Sequence, residues 1–227
     1  MGKMDLTVWC VCVGDKYHKG YVYALQEMVR KNLTIPHDFI CITTHKLPGI
    51  QTRLPPVPYQ GWWSKIGLFY PKVVAGPSLY FDLDIIITGN IDYLADYTKY
   101  QLAAPANWAQ SGHGGIQSSV MAWNGNWHDP FTKLDWPAAR DKYWGDQEWL
   151  WDLLGDNWVK IPNVGSYKYH VRPTGTIPDW MRVCVFHGKP DPHEVSDQCL
   201  LPFTSTLRNH INGSMENGSQ KGLTSTG

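Results

Sequence analysis

Residues 79–92 read LYFDLDIIITGNID. An apolar run of this kind is written for a buried strand, yet Asp82 and Asp84 interrupt it before Ile85, Ile86 and Ile87 resume it and Gly89 and Asn90 turn the chain. Side chains two apart on a strand point the same way, so the spacing predicts that Asp82 and Asp84 converge on one patch while Leu83 turns to the other face. Ordinary aspartates, with pKa values of about 3.9, are ionised at neutral pH and would repel each other there while losing solvation. A divalent cation with oxygen ligands relieves both costs. The simpler reading of Asp84 alone, as a cap for a turn or the next helix, competes with this one.

The segments around this stretch predict an α/β fold. Residues 6–13 (LTVWCVCV) form a compact apolar run for a first strand, closed by Gly14 and Asp15. Val22, Leu25, Met28 and Val29 then recur at helical spacing, with Arg30 and Lys31 at the end where the helix dipole favours cations. Residues 38–43 (DFICIT) supply a second strand. A βαβ opening implies a mainly parallel central sheet, whose ligands bind beyond the carboxyl ends of the strands, where residues 14–20 would lie. Further on, the proline-rich residues 47–60 read as an irregular loop, 62–70 as a short helix stopped by Pro71, and 92–97 as a small turn or helix. Residues 102–108 and 116–123 read as strands flanking the glycine-rich 111–115, and 145–154 as a helix closed by Gly155. Residues 158–161 and 182–186 complete the strands, the last running into His187-Gly188-Lys189-Pro190. No internal repeat is present.

Composition narrows the partners. Lys+Arg and Asp+Glu both total 20, and no basic stripe exists to hold a nucleic-acid backbone. The five cysteines form no CxxC pair, and Cys10, Cys12 and Cys41 lie in apolar strand-like runs, so buried reduced thiols are expected. With no signal-like amino terminus and no apolar run of membrane-spanning length, the expectation is a soluble cytoplasmic protein. Twelve Trp and twelve Tyr could stack on bases or sugar faces, but core filling accounts for many such rings. Beyond residue 207 the chain turns to Gly, Ser, Asn and Thr, which predicts one domain over 1–207 and a flexible tail over 208–227.

Four ordered landmarks carry a family resemblance. They are GDKYHKG at 14–20, Ser64-Lys65-Ile66 followed by YFDLDIIITGNID, Gly145-Asp146-Gln147, and His187-Gly188-Lys189-Pro190. Together they resemble glycosyltransferase family 8, the glycogenin-like and bacterial galactosyltransferase group, over residues 6–190. The resemblance implies a single GT-A domain, a Rossmann-like nucleotide-diphospho-sugar transferase fold. It implies a hexosyltransferase drawing on a UDP-sugar donor with Mn2+ or Mg2+, acting on an acceptor that the sequence leaves open, with retention of anomeric configuration.

The same resemblance implies roles. Asp82, Asp84 and His187 match the metal ligands, a donor set of oxygens plus one imidazole that suits manganese. Tyr17 matches the ring that packs on the base, with Asp15 at the nucleoside. Lys189 would add positive charge at the diphosphate, Lys65 would stand near the donor sugar, and Asp146 and Gln147 match the pair that holds sugar or acceptor during transfer. Each has a plainer alternative: a helix-start cover for Tyr17, an exposed turn for His187, a solvated helix position for Lys65, an N-cap for Asp146. Gln117-Ser118-Ser119-Val120 stands where the family has an Asn-Ser-Gly-like segment, which leaves the donor sugar open. The competing functions are a metal-dependent nucleotidyltransferase or phosphohydrolase and a non-catalytic nucleotide- or carbohydrate-binding module.

Overall fold

A computed structural model describes residues 6–74, 76–108 and 115–219, the stretch 213–219 by its backbone alone. Strand β1 (Leu6–Cys12) leads into α1 (Gly20–Asn32) and the chain returns as β2 (His37–Thr43). The two strands pair in parallel from Leu6 opposite His37 to Cys12 opposite Thr43, which is the βαβ unit that the periodicity predicts. Helix α1 buries Val22, Leu25, Met28 and Val29 and carries Arg30 and Lys31 in its last turn. Strand β3 (Gln51–Arg53) forms inside the proline-rich stretch and pairs with β2. Its three side chains are exposed, so no apolar pattern announces it. Gly61–Phe69 is a 3-10 helix that buries Trp63, Ile66, Leu68 and Phe69 and turns Lys65 inward with them.

The rest of the chain supplies β4 (Ser78–Phe81), β5 (Ile85–Ile87), β6 (Ala103–Ala104), β7 (Val120–Trp123), α2 (Asp129–Thr132), α3 (Trp136–Lys142) and α4 (Asp146–Leu154). Strands β8 (Val159–Lys160), β9 (Val164–Ser166) and β10 (Val183–Val185) follow, and α5 (Leu201–Ser219) ends the described chain. The large sheet has the order β3-β2-β1-β4-β7-β6-β8, parallel except where β7 meets β4 and β6. A smaller sheet has the order β5-β10-β9. The strand expected over 102–108 contracts to two residues plus an isolated bridge between Ala106 and Ile116. Of the glycine-rich 111–115, residues 111–114 lie outside the described residues.

Alternation along the strands divides the apolar side chains between two layers. Val8, Cys10 and Cys12 of β1, Phe39 and Cys41 of β2, and Leu79 and Phe81 of β4 join α1, α5 and the small sheet on one face. Trp9, Val11, Ile40, Ile42 and Tyr80 face the other way, toward the 61–69 helix and α4, with Trp63, Trp123, Trp127 and Trp149 among them. Much of the tryptophan excess is therefore core. The five thiols are free, four of them buried.

Two expectations change. The aspartates are not on one continuous strand: β4 belongs to the large sheet and β5 to the small one, and residues 82–84 are the turn between them. Asp82 N donates to Ser119 O, beyond the end of β7, whereas Phe186 N donates to Asp84 O, beyond the end of β10. The backbone changes partners within three residues, and the break in the apolar pattern marks that change. The carboxyl end also differs from the composition. Helix α5 continues through the 207/208 boundary, with Leu207 and Ile211 buried against the layer that holds α1. Residues 220–227 lie outside the described residues.

Candidate functional site

A cavity of about 650 Å³ opens beyond the carboxyl ends of β1 and β4, where ligands of parallel α/β sheets bind. Its wall is assembled from separate pieces of the chain. Lys16 and Tyr17 come from the loop after β1, Lys65 from the 61–69 helix, Asp82 and Asp84 from the inter-sheet turn. Gln117, Ser118 and Ser119 precede β7, Asp146 and Gln147 open α4, and His187 and Gly188 follow β10.

The deepest part is ionic. Lys65 Nζ donates to Asp82 Oδ2 at 3.0 Å and to Ser118 Oγ at 3.2 Å, and lies 3.6 Å from Asp146 Oδ2. Tyr80 Oη donates to Asp82 Oδ1 at 2.5 Å. Asp146 is 2% exposed, and its Oδ2 is a buried oxygen with an ion-pair neighbour but no hydrogen bond. Burial alone would discharge Lys65, but Asp146 and Asp82 beside it win and hold its pKa above the ordinary lysine value. Burial raises the Asp146 carboxyl, opposed by the Lys65 charge and reinforced by Asp82. As the first residue of α4, Asp146 also meets the positive end of that helix. It is not the N-cap; that position is Gly145.

Asp84 faces the loop after β1. Tyr17 Oη donates to its Oδ2 at 2.7 Å. Burial and the neighbouring Asp82 raise the Asp84 pKa to about 7, against the opposing Tyr17 hydrogen bond and the Lys16 and Lys65 charges. Thus the two aspartates do converge on one site, through a turn instead of through strand alternation. His187 is held by a 2.6 Å hydrogen bond between its Nε2 and Ser166 Oγ. Its ring lies nearly parallel to Tyr169 (12°) on one side and to Trp108 (24°). Burial, then the charge of Lys168, lowers its pKa, so the imidazole is kept neutral, the form that ligates metals.

The fold therefore gathers Tyr17, Lys65, Asp82, Asp84, Asp146, Gln147 and His187 at one cavity. It leaves two sequence candidates outside the wall. Asp15 is exposed in the loop after β1. Lys189 Nζ turns to Asp191 Oδ2 at 2.7 Å and Glu194 Oε1 at 2.9 Å. The structure adds Lys16, Tyr80, Ser118 and Trp108 to the wall and Ser166 behind His187; the contacts of Ser118, Ser166 and Trp108 span 21 to 79 positions of chain and leave no local signal. Gln147 Oε1 accepts from Ser118 N at 3.3 Å, which orients its carboxamide.

Whether this site suits a divalent cation can be judged from its charges. Among the described residues no three His, Cys, Asp or Glu side chains close around one point. The donor chemistry nevertheless fits, because Asp82, Asp84 and Asp146 are three carboxylates around the single buried ammonium of Lys65. Lys16, at the exposed rim, adds a further positive charge that acts on Asp84.

No protein-family model and no curated protein sequence matches the chain. Solved structures do. The galactosyltransferase LgtC, crystallised with donor and acceptor sugar analogs, superposes with a TM-score of 0.65 at 13% identity, covering 89% of this chain and 95% of LgtC. The glycosyltransferase GlyE of Streptococcus pneumoniae gives 0.65 at 15% identity, over 94% of this chain and 64% of GlyE. The bifunctional glycosyltransferase WbbM gives 0.57 at 11% identity, over 91% of this chain and 50% of WbbM. The chain has the GT-A glycosyltransferase fold, as the landmarks imply.

Proposed function

We propose that this protein is a metal-dependent glycosyltransferase that takes a hexose from a UDP-sugar and delivers it to an acceptor with retention of configuration. The observation that carries the reading is the convergence of Asp82, Asp84, His187, Tyr17, Asp146 and Gln147, from four separate parts of a GT-A fold, on one cavity. Mn2+ or Mg2+ would be held by Asp82, Asp84 and His187, and when bound it neutralises the diphosphate of the donor. Asp84 and Asp82 would trade mutual repulsion for a shared cation, which supports the assignment on charge alone.

The remaining work falls to side chains already in place. The Tyr17 ring supports the base, while its hydroxyl fixes Asp84. Lys65 holds Asp82 and Asp146 in register across the donor-sugar side of the cavity. Asp146 offers a buried carboxylate oxygen with no hydrogen-bond partner, suited to a sugar hydroxyl. Gln147, oriented by Ser118, presents the second polar group of the pair. At the mouth, the indoles of Trp62 and Trp144 are 57% and 73% exposed, and they flank the entry by which an acceptor sugar would approach.

The test is a thermal-shift screen of nucleotide sugars with and without Mn2+, followed by detection of released nucleotide. Stabilisation by a UDP-sugar only with metal, and release of UDP, support the reading. Release of pyrophosphate or phosphate would move the assignment to nucleotidyl or phosphoryl chemistry. Failure of every nucleoside diphosphate to raise the Tm with metal present would defeat it.

A further inference from the structure

The late histidine segment does not turn its own lysine to the cavity. Lys189 lies in a surface cluster that is complete by itself: Asp191 and Glu194 form a reciprocal capping box around the Pro192–Glu194 turn, and both accept from the Lys189 ammonium. The Lys189 side chain is 72% exposed.

A different lysine stands next to a residue of the wall. Strands β9 and β10 run parallel with Ser166 opposite Val185, so the segments leaving their carboxyl ends emerge side by side. One carries Lys168 and the other His187 and Gly188, both of which line the cavity. Gly188 has φ +71°, and the point where a Cβ would sit there is 3.5 Å from Lys168 Nζ. The absence of a side chain at Gly188 leaves that space to the ammonium. Ser166 and Tyr169, on either side of Lys168 in sequence, both contact His187, which fixes the 166–169 turn to the cavity wall.

We propose that Lys168, and not Lys189, is the cation that grips the diphosphate of the nucleotide-sugar donor and of the nucleotide released from it. This rests on the glycosyltransferase reading above. An ammonium offers three donors on a flexible stem, enough to follow the phosphate oxygens through the reaction without giving up a proton. It supplies from the segment after β9 the positive charge that the sequence places four residues beyond β10.

Binding of UDP and of uridine, each with Mn2+, separates the alternatives when measured by calorimetry and by saturation-transfer NMR. Lys168→Met is expected to weaken UDP by about tenfold or more, since a charge-assisted phosphate contact is lost, while uridine binding holds. Lys168→Arg should keep most of the affinity, and Lys189→Met should bind UDP as the parent does. The proposal fails if Lys168→Met binds UDP like the parent, if it loses UDP and uridine alike, or if Lys189→Met is the variant that loses UDP. If the parent itself binds no UDP, GDP or ADP with Mn2+, the nucleotide-sugar reading falls first and this inference with it.

Discussion

Lys65 Nζ lies 3.0 Å from Asp82 Oδ2, joining the 61–69 helix to the first carboxylate of the inter-sheet turn, with Asp146 Oδ2 3.6 Å away on α4. This buried ammonium keeps three parts of the chain in register. Replacing it with an apolar isostere leaves buried carboxylates without their counter-charge. Lys65→Met is therefore expected to cost about 3–5 kcal/mol of stability in urea unfolding, the range for breaking one partner of a buried pair. Adding Asp146→Asn should recover part of the loss, because the two changes share one interaction. Strict additivity in that double-mutant cycle would refute the coupling.

Asp84 gives a pH dependence with a definite sign. Its folded pKa of about 7 is above the ordinary 3.8. Below 3.8 both the folded and unfolded carboxyls are protonated. As pH rises from there toward 7 the unfolded chain releases its proton first, so the metal-free fold loses stability across that window, by an amount of the order of a few kcal/mol. With chelator present, Asp84→Asn should match the parent near pH 4 and exceed it at pH 7. Mn2+ competes with the proton for Asp84, so stabilisation of the parent by Mn2+ should grow between pH 6 and pH 8. A parent and variant whose Tm curves run parallel from pH 4 to pH 8 would contradict this.

Trp62 and Trp144 present exposed indoles at the cavity mouth. Gly145 packs against Trp62, with the Trp62 Cβ 3.5 Å from the position of a Gly145 Cβ, so the two indoles belong to one local structure. Once the screen has identified the donor and an acceptor has been found for it, Trp144→Ala should raise the acceptor's KM by about tenfold, the order expected from losing one stacking ring. The KM for the donor should hold. An equal rise in both would place Trp144 at the donor instead.

Helix α5 is seated against α1 with no room to spare. A Cβ on Gly20 would lie 2.9 Å from the backbone carbonyl carbon and oxygen of His210 and 3.0 Å from Ile211 N. No rotamer change relieves a backbone clash. Gly20→Ala should destabilise by about 1–3 kcal/mol, and Ile211→Ala by about 2–5 kcal/mol through the cavity it leaves. If both variants unfold at the parent's urea midpoint, α5 does not contribute to the cooperative fold.

Several elements could be read directly from residue order. The βαβ opening follows from apolar runs at strand and helix periods, and α4 from the periodic run that Gly155 ends with φ +52°. The site residues Tyr17, Lys65, Asp82, Asp84, Asp146, Gln147 and His187 were named by motif, and all line the cavity. Other features were hidden. The three exposed residues of β3 are held by pairing with β2, and β9 packs Gly165 beneath Met181 and Trp180, partners 15 or more positions away. Helix α5 has a polar composition, and its buried Leu207 and Ile211 make sense only once α1 is beside them.

What the sequence alone determined is local chemistry: which runs are apolar enough to be buried, which glycines can end a helix, and which carboxylates interrupt a strand. Those properties belong to a residue and its near neighbours. Tertiary structure decided everything that depends on which backbone pairs with which. It split residues 79–87 between two sheets, so that Asp82 and Asp84 meet through a turn. It sent Lys189 to Asp191 and Glu194 and brought Lys168 to Gly188. A lysine's charge is written in the sequence, but its direction is set by packing between segments far apart in the chain. Only the parallel pairing of β9 with β10 puts that ammonium beside Gly188.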